Sequence, residues 1–405
     1  MQQAFIEFYP TGLFTLSFDG DGMSEKIILN KKLAIDNDDR KIMSLLQANP
    51  DLTHSEIAEK INKSQPAVGA RILKLERKGL QATQYGIDLR ENKFSIALVT
   101  MHAKKPNEIL DMIACCPFVI NAFKTSGKTN VLVWLVGTRL EKLEEIVEIH
   151  FRSKPDITHV NMAVIIETIN QLILPVDFNF ELHNSIRCGE SCHSLLEERI
   201  KAGSDYAPFK GDSDIKKMFG VDDDDKRIIM YLQENPEITH SAIGEKIGKS
   251  QPAVGARIAK LKEKKFLGIQ KGVNFKVVDQ FHIVQVAISA LNSTKIQERM
   301  KKCPFIITGF RSTGDTSLIV YIAGHSLEKI DDIIDFCVRS DENVKEIETA
   351  IILKYMKNLV LPYNFDCEFL EDIGCLECKH CSAVFPKKVT GSTAKASRDK
   401  SASTD

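Results

Sequence analysis

KSQPAVGARI at Lys63–Ile72 is repeated letter for letter at Lys249–Ile258. Identity this long, in one register, marks an internal duplication. Working outward, NPDLTHSEIAEKI from Asn49 matches NPEITHSAIGEKI from Asn235. Further on, FKTSGKTNVLVWLVG from Phe123 matches FRSTGDTSLIVYIAG from Phe310. LEKLEEIVEIHFRS from Leu140 matches LEKIDDIIDFCVRS from Leu327, and LILPVDFNFEL from Leu172 matches LVLPYNFDCEF from Leu359. The shift is 186 early in the unit (249 − 63) and 187 later (310 − 123). The duplicated unit covers residues 33–193 and 220–381.

The first part of each unit reads as helix. Ile42, Leu45 and Leu46 share one face at helical spacing, and Asn49-Pro50 stops that helix. Thr53 with Glu56 is a capping-box pattern opening a second helix with Ile57, Ala58 and Ile61. Ser64 is a good N-cap for a third, with Pro66 in its first turn and Val68, Ile72 and Leu75 as its buried stripe. Three short helices with a tight turn before the third form a helix-turn-helix. Ile228, Tyr231, Leu232, Ile243, Ile247, Val254, Ile258 and Leu261 repeat the pattern.

The rest of the unit alternates strand and helix. Phe94–Met101, Val119–Lys124, Val131–Val136 and Val160–Ile169 are strand-like, while Pro106–Cys115 and Leu140–Phe151 are amphipathic helices. The order βαββαβ is ferredoxin-like. The fold class expected is therefore α+β, with two tandem units, each a winged helix-turn-helix followed by a ferredoxin-like domain.

The domain reading follows. Residues 1–32 are an N-terminal extension in which FIEFYPTGLFTLSF suggests a hairpin. A helix-turn-helix spans 33–90 and an effector and dimerisation domain 91–178, then a cysteine motif and linker 179–219. The second copy places them at 220–275 and 276–366, followed by a Cys-rich motif at 367–385 and a disordered tail at 386–405. Met23 lies close to where the repeat begins and is an alternative start.

Composition limits the function classes. The 405 residues are 43% hydrophobic and 27% charged, an ordinary globular balance. Apolar runs such as Val131–Val136 are too short to cross a bilayer, and nothing at the start resembles a signal peptide. The expected location is the cytoplasm, with no membrane partner. A net charge of −1 conceals local basic stretches such as Arg71, Lys74, Arg77 and Lys78. No Gly-rich phosphate loop or nucleophile–base motif is present, which points away from an enzyme.

IDNDDRKIMSLLQ from Ile35, SEIAEKINKSQPAVGARILKLERKGL from Ser55 and the βαββαβ domain together resemble the Lrp/AsnC, or feast/famine, family of regulators. The form is a tandem-duplicated, archaeal-type one with C-terminal cysteine clusters. The resemblance covers nearly the whole chain, twice. It implies α/β domains that pair, here as an intrachain pseudo-dimer, and helix-turn-helix heads set on double-stranded DNA. A small-molecule or metal effector and a homo-oligomer are further partners that it implies. Effectors in the family lie near the turn between the second and third strands: Ser126, Gly127 and Lys128 here, and Thr313, Gly314 and Asp315 in the second copy. Ser317 stands where many members carry a second Asp, and Lys128 and Asn130 hold the corresponding places in the first copy.

In such heads the third helix enters the major groove. Gln65 suits adenine and Arg71 guanine, each with paired hydrogen bonds, while Arg71 equally suits a phosphate or, as the alternative, a salt bridge to an acidic neighbour. Ser64, Lys74, Arg77 and Lys78 suit phosphates, and small Ala67, Gly69 and Ala70 suit close backbone approach. The mirrored set is Ser250, Gln251, Ala253, Ala256, Arg257, Lys260 and Lys264.

Each unit ends in cysteines. Cys188, Cys192 and His193, then Cys375, Cys378 and Cys381 with His380, have the spacing and donor types of tetrahedral zinc. The second run also resembles part of an iron–sulfur pattern, with Phe385-Pro386 where a fourth Cys-Pro would stand. Redox-active thiols are the third option. Cys115, Cys116, Cys303 and Cys337 fit core positions.

The main expectation is a transcription regulator, responsive to metal or redox state. Two alternatives stand beside it: a ligand-sensing scaffold without DNA binding, and a sirohaem-decarboxylase-like enzyme. The enzyme would need a cavity of His and Arg for a carboxylated tetrapyrrole, and His102, His150, His282 and His325 are scattered.

Overall fold

Helix α1 (Asn37–Ala48) starts where Asp36 accepts the Asp39 backbone N–H and Asp39 accepts that of Asp36, a reciprocal capping box. The computed structural model describes residues 30–183 and 213–364. Helix α2 (His54–Ile61) opens on the expected Thr53–Glu56 box and closes at Asn62 in the left-handed region (φ 62°). That sharp turn sets the angle of α3 (Gln65–Arg77), whose cap is Ser64 accepting from the Ala67 N–H. Ile57, Val68, Ile72 and Leu75 lock the helices together from inside.

Strand β1 (Ala82–Asp88) leads into β2 (Ser95–Ala103), α4 (Pro106–Ile113), β3 (Val119–Thr125), β4 (Val131–Gly137), α5 (Leu140–Val147) and β5 (Ile157–Thr168). A π-turn at Glu148–Arg152 extends α5, and β6 (Ile173–Leu174) and a single helical turn, α6 (Phe180–His183), finish the unit. Helix α7 (Asp214–Phe219) leads into the second copy. Its head is α8 (Asp223–Glu234), α9 (His240–Ile247) and α10 (Gln251–Glu263). Then come β7 (Leu267–Asn274), β8 (His282–Ala290), α11 (Ser293–Met300), β9 (Ile306–Ser312), β10 (Leu318–Gly324), α12 (Leu327–Ile334), β11 (Val344–Tyr355) and β12 (Val360–Leu361). Both copies thus realise the βαββαβ order.

The two α/β domains close into one eight-stranded barrel, ordered β10-β8-β11-β3-β4-β2-β5-β9. The last strand of each domain is shared: β5 pairs with β2 of its own copy and β9 of the other, and β11 with β8 and β3. Closure leaves no exposed edge in either sheet. At the centre Trp134 Nε1 donates to the Tyr321 hydroxyl at 3.0 Å, and the two rings meet edge-on with Phe310. Phe123 completes the cluster against Trp134. Trp134 and Tyr321 occupy equivalent positions in the two copies (321 − 134 = 187), as do Phe123 and Phe310.

A second sheet, β12-β7-β1-β6, lies between heads and barrel. Here the strand after each recognition helix pairs with its counterpart from the other copy, with Gln84 opposite Gln270. The flanking strands press so close that a Cβ on Gly86 would stand 2.2 Å from the Leu174 carbonyl oxygen, and one on Gly272 2.1 Å from that of Leu361. Only glycine fits there. Sequence reasoning expected a winged head in each unit and missed this junction. Its signal was the repeated Gln-x-Gly at 84–86 and 270–272.

Among the described residues no helix is long and apolar enough to cross a membrane. The expected N-terminal hairpin, both cysteine clusters (Cys188, Cys192, His193 and Cys375, Cys378, His380, Cys381) and the tail lie outside the described residues. Cys303 and Cys337 are buried in the core of the second domain, while Cys115 and Cys116 are half-buried.

Candidate nucleic-acid interface

The N-terminal ends of α3 and α10 face outward. Ser64, Gln65, Ala67 and Ala70 are exposed, as are Ser250, Gln251 and Ala256, with Ala253 half-buried. The side chains that hold each helix in place point the other way, so the same short segment is both anchored and presented. Lys74 and Lys260 are exposed one turn further along.

Arg71 and Arg257 depart from the expected base contact. Arg71 Nη1 lies 2.7 Å from Asp36 Oδ2 and 2.7 Å from Asp39 Oδ1, with Asp38 at 3.6 Å from Nη2. Arg257 repeats the arrangement with Asp222 at 2.8 Å, Asp225 at 2.7 Å and Asp224 at 3.5 Å. Hydrogen bonds donated to the carboxylates hold both guanidinium groups above their ordinary pKa. For Asp36, partial burial pushes the pKa up, but donation from the Asp39 backbone and Arg71 outweighs it and the group titrates below the usual range. Asp222 behaves likewise, burial again being outweighed, here by Arg257 and the Asp225 backbone. Asp39 is fully buried, so its charge requires a fixed counter-ion. The arginines therefore brace the recognition helix against the first helix of its own head.

Lys74 sits 3.3 Å from the same Asp39, Lys63 3.0 Å from Asp38, and Lys249 3.2 Å from Asp224. Lys78 donates to the carbonyls of Leu33 and Ala34 at 2.8 and 2.9 Å, which ties it to the chain entering α1 and away from a phosphate. Gly69 also has an internal reason. A Cβ there would meet His54 Nδ1 at 3.3 Å, and at Gly255 it would meet His240 Nδ1 at 3.4 Å. The second helix packs close on the third at both glycines. The repeated Thr-His-Ser at 53–55 and 239–241 was the available signal.

The turns expected to hold an effector are seams between the copies. The Ser126 backbone N–H donates to the Ile351 carbonyl at 2.9 Å, and its hydroxyl accepts the Ile351 N–H at 2.9 Å. Thr313 forms the matching pair with Val164, at 2.9 and 3.1 Å. Gly127 and Gly314 adopt positive φ (93° and 90°) in these turns. The two triads Ser126–Lys128 and Thr313–Asp315 each sit on their own seam. Asn130 clasps the Ala103 backbone with both ends of its amide, at 2.8 and 2.9 Å, and Ser317 bonds Ala290 N and Ile288 O at 3.2 Å each. Positions that differ from the family pattern thus serve the barrel's own hydrogen bonding.

Of the scattered histidines, His282 and His325 adjoin across β8 and β10, where burial, Lys32 and His282 hold His325 below its ordinary pKa. His102 ends β2 and His150 lies in the π-turn. Among the described residues, no group of three or more His, Cys, Asp or Glu is placed to hold a metal ion.

Comparison with known proteins agrees with this architecture. A winged helix-turn-helix DNA-binding model matches residues 36–80, an AsnC-type helix-turn-helix model 221–262, and the Lrp/AsnC ligand binding domain 95–172. The uncharacterized HTH-type transcriptional regulator PH1013 of Pyrococcus horikoshii is 30% identical over 145 residues, 33% of this chain and 88% of that protein. The chain belongs to the Lrp/AsnC family. HTH-type transcriptional regulator FL11 of Pyrococcus furiosus is 26% identical over 143 residues, 34% of this chain and 92% of that protein. Each such relative spans about one of the two units, so this Lrp/AsnC chain carries in one polypeptide what those relatives carry in single-unit chains. The crystal structure of the siroheme decarboxylase NirDL covers 81% of this chain and 94% of its own. At 14% identity and a TM-score of 0.45 it carries no argument about activity.

Proposed function

We propose that this Lrp/AsnC protein is a sequence-specific DNA-binding transcription regulator, not an enzyme, acting in the cytoplasm as a pseudo-dimer within one chain. The observation that carries the reading is the outward presentation of the same residues, Ser64-Gln65-Pro66-Ala67 and Ser250-Gln251-Pro252-Ala253, at the start of two braced helices. Gln65 and Gln251 read base edges, Ser64 and Ser250 bond phosphates, and Lys74 and Lys260 add charge along the backbone. Ala67, Ala70, Ala253 and Ala256 leave room for the groove wall. Arg71 and Arg257 position rather than read.

The test is direct. Purified protein titrated with random duplex at low salt should bind, with affinity falling steeply as salt rises. Selection from a duplex library should then return two like half-sites, one helical turn (about 34–36 Å) or a multiple apart. Absence of duplex binding at low salt overturns the reading. Zinc at Cys188, Cys192, His193, Cys375, Cys378 and Cys381 is a separate proposal supported by donor spacing alone. Metal analysis of the purified protein should find zinc, with Cys375→Ser and Cys378→Ser lowering its content. An effector at the two seam turns and further homo-oligomerisation rest on the family's effector-binding and paired domains.

A further inference from the structure

The two copies meet beneath the heads at a pair of equivalent junctions, and these have diverged. On one side a cavity of about 290 Å³ lies among the end of α1, the end of α10 and the middle sheet. Gln47, Asp51, Gln171, Lys262 and Gln270 supply its polar wall, and Ile173, Leu267 and Ile269 an aliphatic one. Lys262 bridges the heads by an ion pair to Asp51 at 3.0 Å. On the other side the equivalents of Lys262 and Asp51 are Glu76 and Glu237 (262 − 186 = 76; 51 + 186 = 237). Leu267 and Ile269 are matched there by Gln81 and Thr83. Burial and then Glu237 raise the pKa of Glu76, with Lys271 and His54 acting in the opposite direction.

Gln47 is incompletely satisfied. Its carbonyl accepts the Tyr363 N–H at 3.1 Å, but its Nε2 is buried with no hydrogen-bond partner. In the other copy Gln233 uses both ends on Val176, accepting at 2.8 Å and donating at 3.1 Å. A buried amide N–H without an acceptor is costly, and it stands at a cavity that also holds an ammonium group.

We propose that this cavity binds a small aliphatic monocarboxylate, one per chain. The carboxylate takes the Gln47 amide N–H groups and the Lys262 ammonium, and its hydrocarbon lies on Ile173, Leu267 and Ile269. The volume, near the lower end for ligand sites, has room for an acid of about four to six carbons. The equivalent junction, with Glu76 and Glu237 in place of Lys262 and Asp51, repels an anion. The site is distinct from the seam turns, and its walls come from both heads, so an occupant fixes one head against the other.

Calorimetric titration of the full chain with butyrate, isovalerate and hexanoate tests this. We expect saturable binding of at least one of them at one equivalent per chain, weakened roughly tenfold or more in Lys262→Glu and in Gln47→Leu by loss of charge-assisted and amide bonds. Glu76→Lys, at the opposite junction, should leave the first site's affinity intact. Circular dichroism of each variant confirms its fold. Absence of saturable binding by all three acids, two equivalents in the native chain, or unchanged affinity in folded Lys262→Glu overturns the proposal.

Discussion

The two recognition helices and the two halves of the barrel core have opposite histories. Residues 63–72 and 249–258 are identical and carry the same brace, the same cap and the same exposed face. At the barrel centre the equivalent positions differ, and Trp134 pairs with Tyr321. Residues that face outward toward a common ligand are kept alike; residues that face the other copy are free to become complementary. A homodimer would have to place Trp134 against a second Trp134, whereas a fused pair can use two different side chains. The junctions beneath the heads show the same freedom, with a cation bridge on one side and two carboxylates on the other.

The largest test of this contrast is Trp134→Ala. It removes a fully buried ring and the bond to Tyr321, and should cost about 3–5 kcal/mol in denaturant unfolding. Tyr321→Trp, which makes the core self-matched, should overpack it and cost about 1–3 kcal/mol. If it is neutral, the two halves of the core are not complementary.

Next come the braces. Arg71→Ala leaves buried Asp39 short of a counter-ion, and Arg257→Ala does the same at Asp225. Each should destabilise its head by about 2 kcal/mol, less than for a fully enclosed pair because Lys74 remains near Asp39 and the arginines are partly exposed. Equal losses in thermal melts confirm that the heads are equivalent. A loss of base preference with no change in melting would instead return both arginines to base reading.

Gln65→Ala and Gln251→Ala should each weaken specific duplex binding by about 1–3 kcal/mol while leaving the melting curve unchanged. Unequal effects would break the equivalence of the heads where it matters most. The smallest effect is in acid. Asp36 and Asp222 titrate below the unfolded carboxylate value, so their contribution is complete above about pH 4. It is lost as pH falls through the lower folded values. Asp36→Asn and Asp222→Asn should therefore flatten the acid limb of stability, measured by unfolding between about pH 5 and 2.

Much of the fold could be read from the sequence because its signals are local. Thr53–Glu56, Ser64 and the Val68, Ile72, Leu75 stripe fix the head, and the alternation of strands and helices fixes βαββαβ. What stayed hidden depends on partners far along the chain. A salt bridge to an acidic neighbour was an open alternative for Arg71, but nothing near it in sequence singles out Asp36 and Asp39, some thirty residues earlier and already using their carboxylates as caps. The pairing of β1 with β7 joins residues of different copies, and sequence periodicity carries no record of such a choice. Gly69 was visible as a repeated glycine, but its neighbour, the His54 ring, lay on another helix.

The shared strands β5 and β11 carry a quantitative consequence. Each half of the barrel is completed by the other half of the same molecule, so its pairing is first order. Dilution cannot separate the two heads, and occupancy of a palindromic operator should rise in proportion to protein concentration. A regulator assembled from separate subunits well below its dissociation constant would instead follow the square.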